Sequence, residues 1–245
     1  MKKFIAAWVI TVLFLPVSVT AEELIITILE DFPPYQYMEN NQPTGIDVEI
    51  AREVCKNLDI KLKFEAVPWK RALKYAEDGN VSGLVAALRT EEREKFLYYT
   101  SEPVHIQKNV VISGKESNIK IAALDDLKGK EVGVLAGFSY GAEIDSLQGL
   151  KKTVCNDQQE MIRMLDRGRI NVALGSDGPF WFNCKRFGFK DHFEVVYVIN
   201  ELPAYTVFSK KGNGEKGEML AEKFSKEIRR LRESGWEKQV IDKYR

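Results

Sequence analysis

One pattern occurs twice and limits the chain more than any other feature. Arg71-Ala-Leu-Lys-Tyr-Ala-Glu-Asp-Gly79 leads into an apolar, small-residue segment from Val81, and Met161-Ile-Arg-Met-Leu-Asp-Arg-Gly168 leads into another from Ile170. Each unit reads as a helix closed by a glycine, the residue that takes the left-handed helix-end conformation at least cost, followed at once by a buried strand. Such βαβ grammar predicts an α/β protein with parallel strands. Its repetition predicts two lobes of like design, although a single continuous sheet would use the same grammar.

The rest of the chain extends both halves. Leu24 to Leu29 reads as a strand and Asp31-Phe-Pro-Pro-Tyr35 as a loop. Asp47 is positioned to cap a helix whose apolar residues Ile50, Ala51, Val54 and Leu58 recur at helical spacing. Ile60 to Val67 alternates like a half-exposed strand, a short helix runs from Trp69 to Asp78-Gly79, and Val81 to Leu88 is a buried strand. In the second half Val132 to Leu135 is a strand, Gly137 to Gly141 a turn, Gln158 to Asp166 a helix and Ile170 to Leu174 a strand. Val104 to Ile112 and Val195 to Phe208 are β-prone joins. If both cross between lobes, lobe 1 comprises 22–108 and 203–245, with the helices Ala221 to Arg232 and Trp236 to Tyr244 packed back onto it, and lobe 2 comprises 109–202. Binding crevices in such folds lie beyond the carboxyl ends of strands, here between the lobes.

Composition limits compartment and partners. Lys2 and Lys3 precede the apolar run Phe4 to Pro16, which leads to Val19-Thr20-Ala21, so residues 1–21 read as a cleavable signal peptide. The run is short of the roughly 20 residues that span a bilayer, and no cysteine at the cleavage point marks a lipid anchor. The remaining chain carries 34 Lys and Arg against 36 Asp and Glu, with no basic stripe for nucleic acid. Export puts the three cysteines in an oxidising compartment. Cys155 and Cys184 are candidates to pair, and Cys55 reads as a buried free thiol. His105 and His192 stand far apart without a metal-binding motif, so no metal or cofactor is expected.

Six motifs in order carry a family resemblance: Glu30-Asp-Phe-Pro-Pro-Tyr35, Thr44-Gly-Ile-Asp-Val-Glu-Ile50, Trp69-Lys-Arg71, Arg89-Thr-Glu-Glu-Arg93 with Tyr99-Thr-Ser-Glu-Pro103, Leu127-Lys-Gly-Lys-Glu-Val-Gly-Val134 and Gly168-Arg-Ile-Asn171. Over nearly the whole mature length the chain resembles the periplasmic solute-binding proteins of polar amino-acid ABC importers. The resemblance implies the two-lobed type II periplasmic-binding fold with two hinge strands, a monomeric receptor, a small polar, amino-acid-like ligand and ABC transporter membrane subunits as partners. Its Thr-x-x-Arg motif falls on Thr90 and Arg93, making Arg93 the grip on a ligand carboxylate, a task suited to the guanidinium fork. Ser139 corresponds to a hydroxyl contact at a helix start, while Phe32 and Trp69 correspond to aromatics lining the cleft. Departures fall at Leu88, where a Ser is usual, at Phe138, where a hydroxyl is common, and at Ser176, where an Asp meets the ligand ammonium. Asp177 serves instead only if the loop Gly175-Ser-Asp-Gly178 shifts; otherwise the ligand lacks an α-ammonium.

Two enzymatic readings compete with the receptor. Exported relatives of the same fold act as cyclohexadienyl or arogenate-type dehydratases, and Gly137-Phe-Ser-Tyr-Gly141 matches a Gly-x-Ser-x-Gly nucleophile elbow. A hydrolase using Ser139 would need His192 as base and one of Asp145, Asp157, Asp166, Asp177 or Asp191. A kinase-fused sensor is not expected, because no membrane span precedes the end at Arg245. Binding ranks first.

Overall fold

The computed structural model describes residues 23–244, so the expected signal peptide lies outside the described residues. In chain order the elements are strands β1 (Glu23–Ile28), β2 (Asp31–Phe32), β3 (Gln36–Glu39) and β4 (Gln42–Thr44), helix α1 (Ile46–Asn57), β5 (Lys61–Ala66), α2 (Trp69–Asp78), β6 (Gly83–Leu88), α3 (Glu91–Glu94) and β7 (Leu97–Gly114). There follow β8 (Glu131–Leu135), α4 (Ala142–Asp145), β9 (Lys151–Cys155), α5 (Gln158–Asp166), β10 (Val172–Ser176), α6 (Asp177–Phe187), β11 (Phe193–Ser209), α7 (Lys210–Asn213), α8 (Lys216–Glu233) and α9 (Trp236–Lys243). Local chemistry explains the repeated units. Gly79 closes α2 at φ 79°, and Asp157 caps α5 by accepting from the Glu160 amide.

Two strands organise the molecule. β7 spans 18 residues and β11 spans 17, roughly 60 Å of extended chain each, and they pair antiparallel along their length. The sheet order is β5-β1-β6-β11-β7-β10-β8-β9, so hydrogen bonding is continuous across eight strands. The apolar core is nevertheless divided. On one side Leu24, Ile26, Ile50, Val54, Phe208 and Phe224 pack beneath α1 and α8, with Ala72, Ala76, Leu84 and Val207 on the opposite face. On the other side Val110, Ile112, Met161, Ala173 and Phe180 form one layer, and Val111, Val132, Ile144 and Leu174 form the second. The alternation Val110, Val111, Ile112 sends successive side chains to opposite layers, as the pleat requires. The expectation of two matching halves on two crossing strands is thus met by one ladder carrying two cores.

The register between β7 and β11 shifts four times, between Val195 and Tyr197, Val198 and Asn200, Ala204 and Tyr205, and Tyr205 and Val207. Bulges bend and twist a strand. They flank a regular stretch in which Asn109 to His105 face Asn200 to Ala204, and this stretch joins the two cores.

Within the first half, β6 and β11 approach closely. A Cβ added at Gly83 would lie 2.0 Å from the Val207 carbonyl oxygen, and backbone cannot yield as a side chain can. Gly83→Ala is therefore expected to lower unfolding free energy by about 1–3 kcal/mol, measured by urea denaturation.

Three expectations need correction. Asp47 does not cap α1: Gly45 holds that position without a side-chain bond, and Asp47 lies inside the helix, fully buried. The stretch Gly175-Ser-Asp-Gly178 is not a loop, because Ser176 ends β10 and Asp177 begins α6. Cys155 and Cys184 are free, as is Cys55; both serve as small apolar side chains in one core layer, and burial pushes their thiols up, to about 11 and about 12. Among the described residues no helix is long and apolar enough to cross a membrane.

Candidate functional site

The Thr-x-x-Arg motif has a local cause. Thr90 is the N-cap of α3, its hydroxyl accepting from the Arg93 amide at 3.3 Å. That single helical turn aims the Arg93 side chain back beneath the end of β6. There Nη1 donates to the Leu88 carbonyl at 3.0 Å and Nη2 donates to the Gly137 carbonyl at 3.1 Å, in the opposite half of the molecule. The guanidinium also faces the Trp69 ring at 5.1 Å, a cation–π contact. Burial pulls its pKa below the ordinary value, opposed by nearby Tyr99, Asp145 and Glu92, yet an arginine stays charged.

Gly137 is the meeting point. Its carbonyl accepts from Arg93 and, at 2.8 Å, from Trp69 Nε1. Its φ of 75°, which glycine adopts freely, turns the chain after β8. Phe138 then packs 5.9 Å from Phe32 and 5.8 Å from Trp69. Ser139 donates to Asp145, which also accepts from the Tyr140 amide at 3.0 Å. The Asp145 carboxylate therefore holds the Gly137–Gly141 turn in shape. Asp145→Ala is expected to cost about 1–2 kcal/mol of stability and to raise hydrogen exchange at Ser139 and Tyr140, as measured by NMR.

Among them lies a cavity, open at its mouth, with Leu29, Phe32, Gln36, Trp69, Ala86, Ala87, Leu88, Arg93, His105, Gln107, Phe138, Ser139 and Ala204 as its walls. Five of the seven expected site residues are brought together here: Arg93, Phe32, Trp69, Leu88 and Ser139. Leu88 takes part through its carbonyl, which also accepts from the Tyr99 hydroxyl at 3.1 Å. Ser176 and Asp177 do not line the cavity. Asp177 accepts from Trp181 Nε1 at 2.7 Å and pairs with Lys108 at 3.1 Å, because the start of α6 turns it toward those partners.

Gln36, Gln107 and His105 line the cavity without having been singled out in the sequence. His105 is held from behind: its Nδ1 lies 2.9 Å from Asp47 Oδ1, and its ring stacks on Tyr35 at 3.9 Å. Burial raises the Asp47 pKa, with the imidazole opposing. A carboxylate between the buried residues Ile46 and Val48 demands a partner, and that was the available signal.

The nucleophile elbow does not assemble. Ser139 bonds to Asp145, whereas His192 pairs with Asp166 at 2.7 Å beside a different groove, lined by Gly114, Leu165 and Ile170.

A divided α/β core, two crossing strands and a guanidinium in the gap between halves describe a clamp. The model of bacterial extracellular solute-binding proteins, family 3, matches residues 24–245. The chain belongs to this family. It is 26% identical over 217 residues to the probable amino-acid-binding protein YxeM of Bacillus subtilis, covering 86% of this chain and 79% of that one. It is 30% identical over 179 residues to the putative ABC transporter arginine-binding protein 2 of Escherichia coli, covering 71% of each. Among solved structures, a mutant of the arginine-binding protein from T. maritima superposes with a TM-score of 0.78 at 21% identity, over 91% of this chain and 94% of that chain. At that identity the likeness speaks for the fold. The family 3 chain described here is thus a solute-binding protein with the type II periplasmic fold.

Proposed function

We propose that this family 3 protein is an exported, periplasmic receptor that closes residues 22–108 and 203–245 against residues 109–202 over a small carboxylate and delivers it, without turnover, to the membrane subunits of an ABC importer. The supporting observation is Arg93: it is 6% exposed and, among the described residues, makes no ion pair with a carboxylate. A buried charge without a counter-ion is costly, and an anion from outside supplies one. Phe32, Trp69 and Phe138 shape the slot, Leu88 and Gly137 hold the guanidinium by their carbonyls, and Ser139 lies in the middle of the Gly137–Gly141 turn. A ligand that touches both halves favours closure by its differential contacts. Relatives named for arginine or amino-acid binding and for ABC transporters support the partner.

A thermal-shift screen of amino acids, oligopeptides, amines and organic acids tests the reading. A ligand at 100 times its Kd adds about 2.7 kcal/mol of stability. Carboxylates are expected to raise Tm and simple amines to leave it unchanged; stabilisation by amines alone would overturn the proposal.

A further inference from the structure

The charges around the cavity specify more than a carboxylate. From the inventory of its walls we infer that the ligand is a small organic acid carrying no ammonium group, such as a 2-oxo or 2-hydroxy acid with a short apolar or aromatic tail; this rests on the carboxylate-receptor reading above. No Asp or Glu is among the residues that line the cavity. Behind its walls Asp145 is committed to the Ser139 hydroxyl and Tyr140 amide and Asp47 to the His105 ring; the adjoining groove, which shares Phe32, Trp69 and Phe138, carries Glu30, Asp31 and Asp157, of which Asp31 pairs with Arg186 and Asp157 caps α5. Two carbonyls beside the guanidinium are already occupied: Leu88 by Arg93 and Tyr99, Gly137 by Arg93 and Trp69. Asp177 is held by Lys108 and Trp181 away from the cavity.

Charge balance then decides. A monoanion neutralises Arg93 and leaves the closed cavity without net charge. A zwitterion brings its own cation, which would be buried beside the guanidinium with no carboxylate to meet it, the costly arrangement for a desolvated charge. The remaining polar groups, the side-chain amides of Gln36 and Gln107, the Ser139 hydroxyl and the His105 ring, suit an uncharged oxo or hydroxyl group. Leu29, Phe32, Trp69, Ala86, Ala87 and Phe138 suit an apolar tail.

Calorimetric titration of the wild-type protein with matched pairs provides the test: pyruvate and L-alanine, 4-methyl-2-oxopentanoate and L-leucine, phenylpyruvate and L-phenylalanine. In the pairs that bind, the oxo acid is expected to bind at least tenfold more tightly than its amino acid, and Arg93→Lys to weaken it. An amino acid that equals or exceeds its oxo acid rejects this ligand class while leaving the carboxylate receptor standing. Heat from neither member of any pair rejects both.

Discussion

Arg93→Ala is expected to lower affinity for the captured carboxylate by about 100- to 1000-fold, or about 3–4 kcal/mol, in calorimetric titration. The loss has two sources. The ligand anion would be buried without its counter-ion, and the cleft would lose the hydrogen bond from Arg93 to the Gly137 carbonyl that now ties one half to the other. Arg93→Lys is expected to restore part of the affinity, because an ammonium supplies charge without the bidentate fork. Stability without ligand should behave differently. The wild-type guanidinium is buried with no carboxylate partner, so its removal is expected to change the unfolding free energy by less than about 1 kcal/mol, the two carbonyl bonds being offset by relief of desolvation. A binding defect with a preserved denaturation midpoint separates a ligand grip from a structural arginine.

The second large effect concerns the Asp47–His105 pair on the crossing strand. His105→Ala is expected to destabilise the fold by about 3 kcal/mol at neutral pH, because the Asp47 carboxylate, fully buried and bonded among the described residues to the imidazole alone, would keep no partner there. The pH dependence has a definite sign. Burial raises the Asp47 pKa above its free value of 3.8, so the native state holds that proton more tightly than the unfolded chain and stability falls as pH rises through the interval above 3.8. Without the opposing imidazole the carboxyl rises further. The gap between variant and wild type should therefore be wide at pH 7 and narrow on acidification toward about pH 4, as urea melts at both values will show. His105→Asn, which can still donate to the carboxylate, should recover part of the loss.

Much of the architecture was legible because it rests on local patterns. Gly79 and Gly168 announced their helix ends, and the β-prone joins fell on both long strands, though each proved longer than its apolar portion. The placement of Arg93 was legible for a similar reason: Thr90 caps a turn of its own making, so the direction of Arg93 follows from four consecutive residues. What was not legible depends on contacts distant in sequence. Asp47 looked like a helix cap because its partner His105 lies 58 residues away. Asp177 looked available to a ligand because Lys108, which holds it, arrives from β7. The single hydrogen-bonded ladder followed from β7 and β11 pairing along their whole length, a register that no local pattern encodes. Cys155 and Cys184 invited pairing by compartment and by flanking one helical stretch, and packing instead buried each as a small apolar group.

In the proposed function a small anion is held between the halves by one guanidinium. Diffraction from crystals grown with the strongest stabiliser from the ligand screen tests this most directly. The ligand carboxylate is expected within hydrogen-bonding distance of the Arg93 fork, flanked by Trp69 and Phe138. A ligand seated elsewhere, with Arg93 still bonded only to the Leu88 and Gly137 carbonyls, would contradict it.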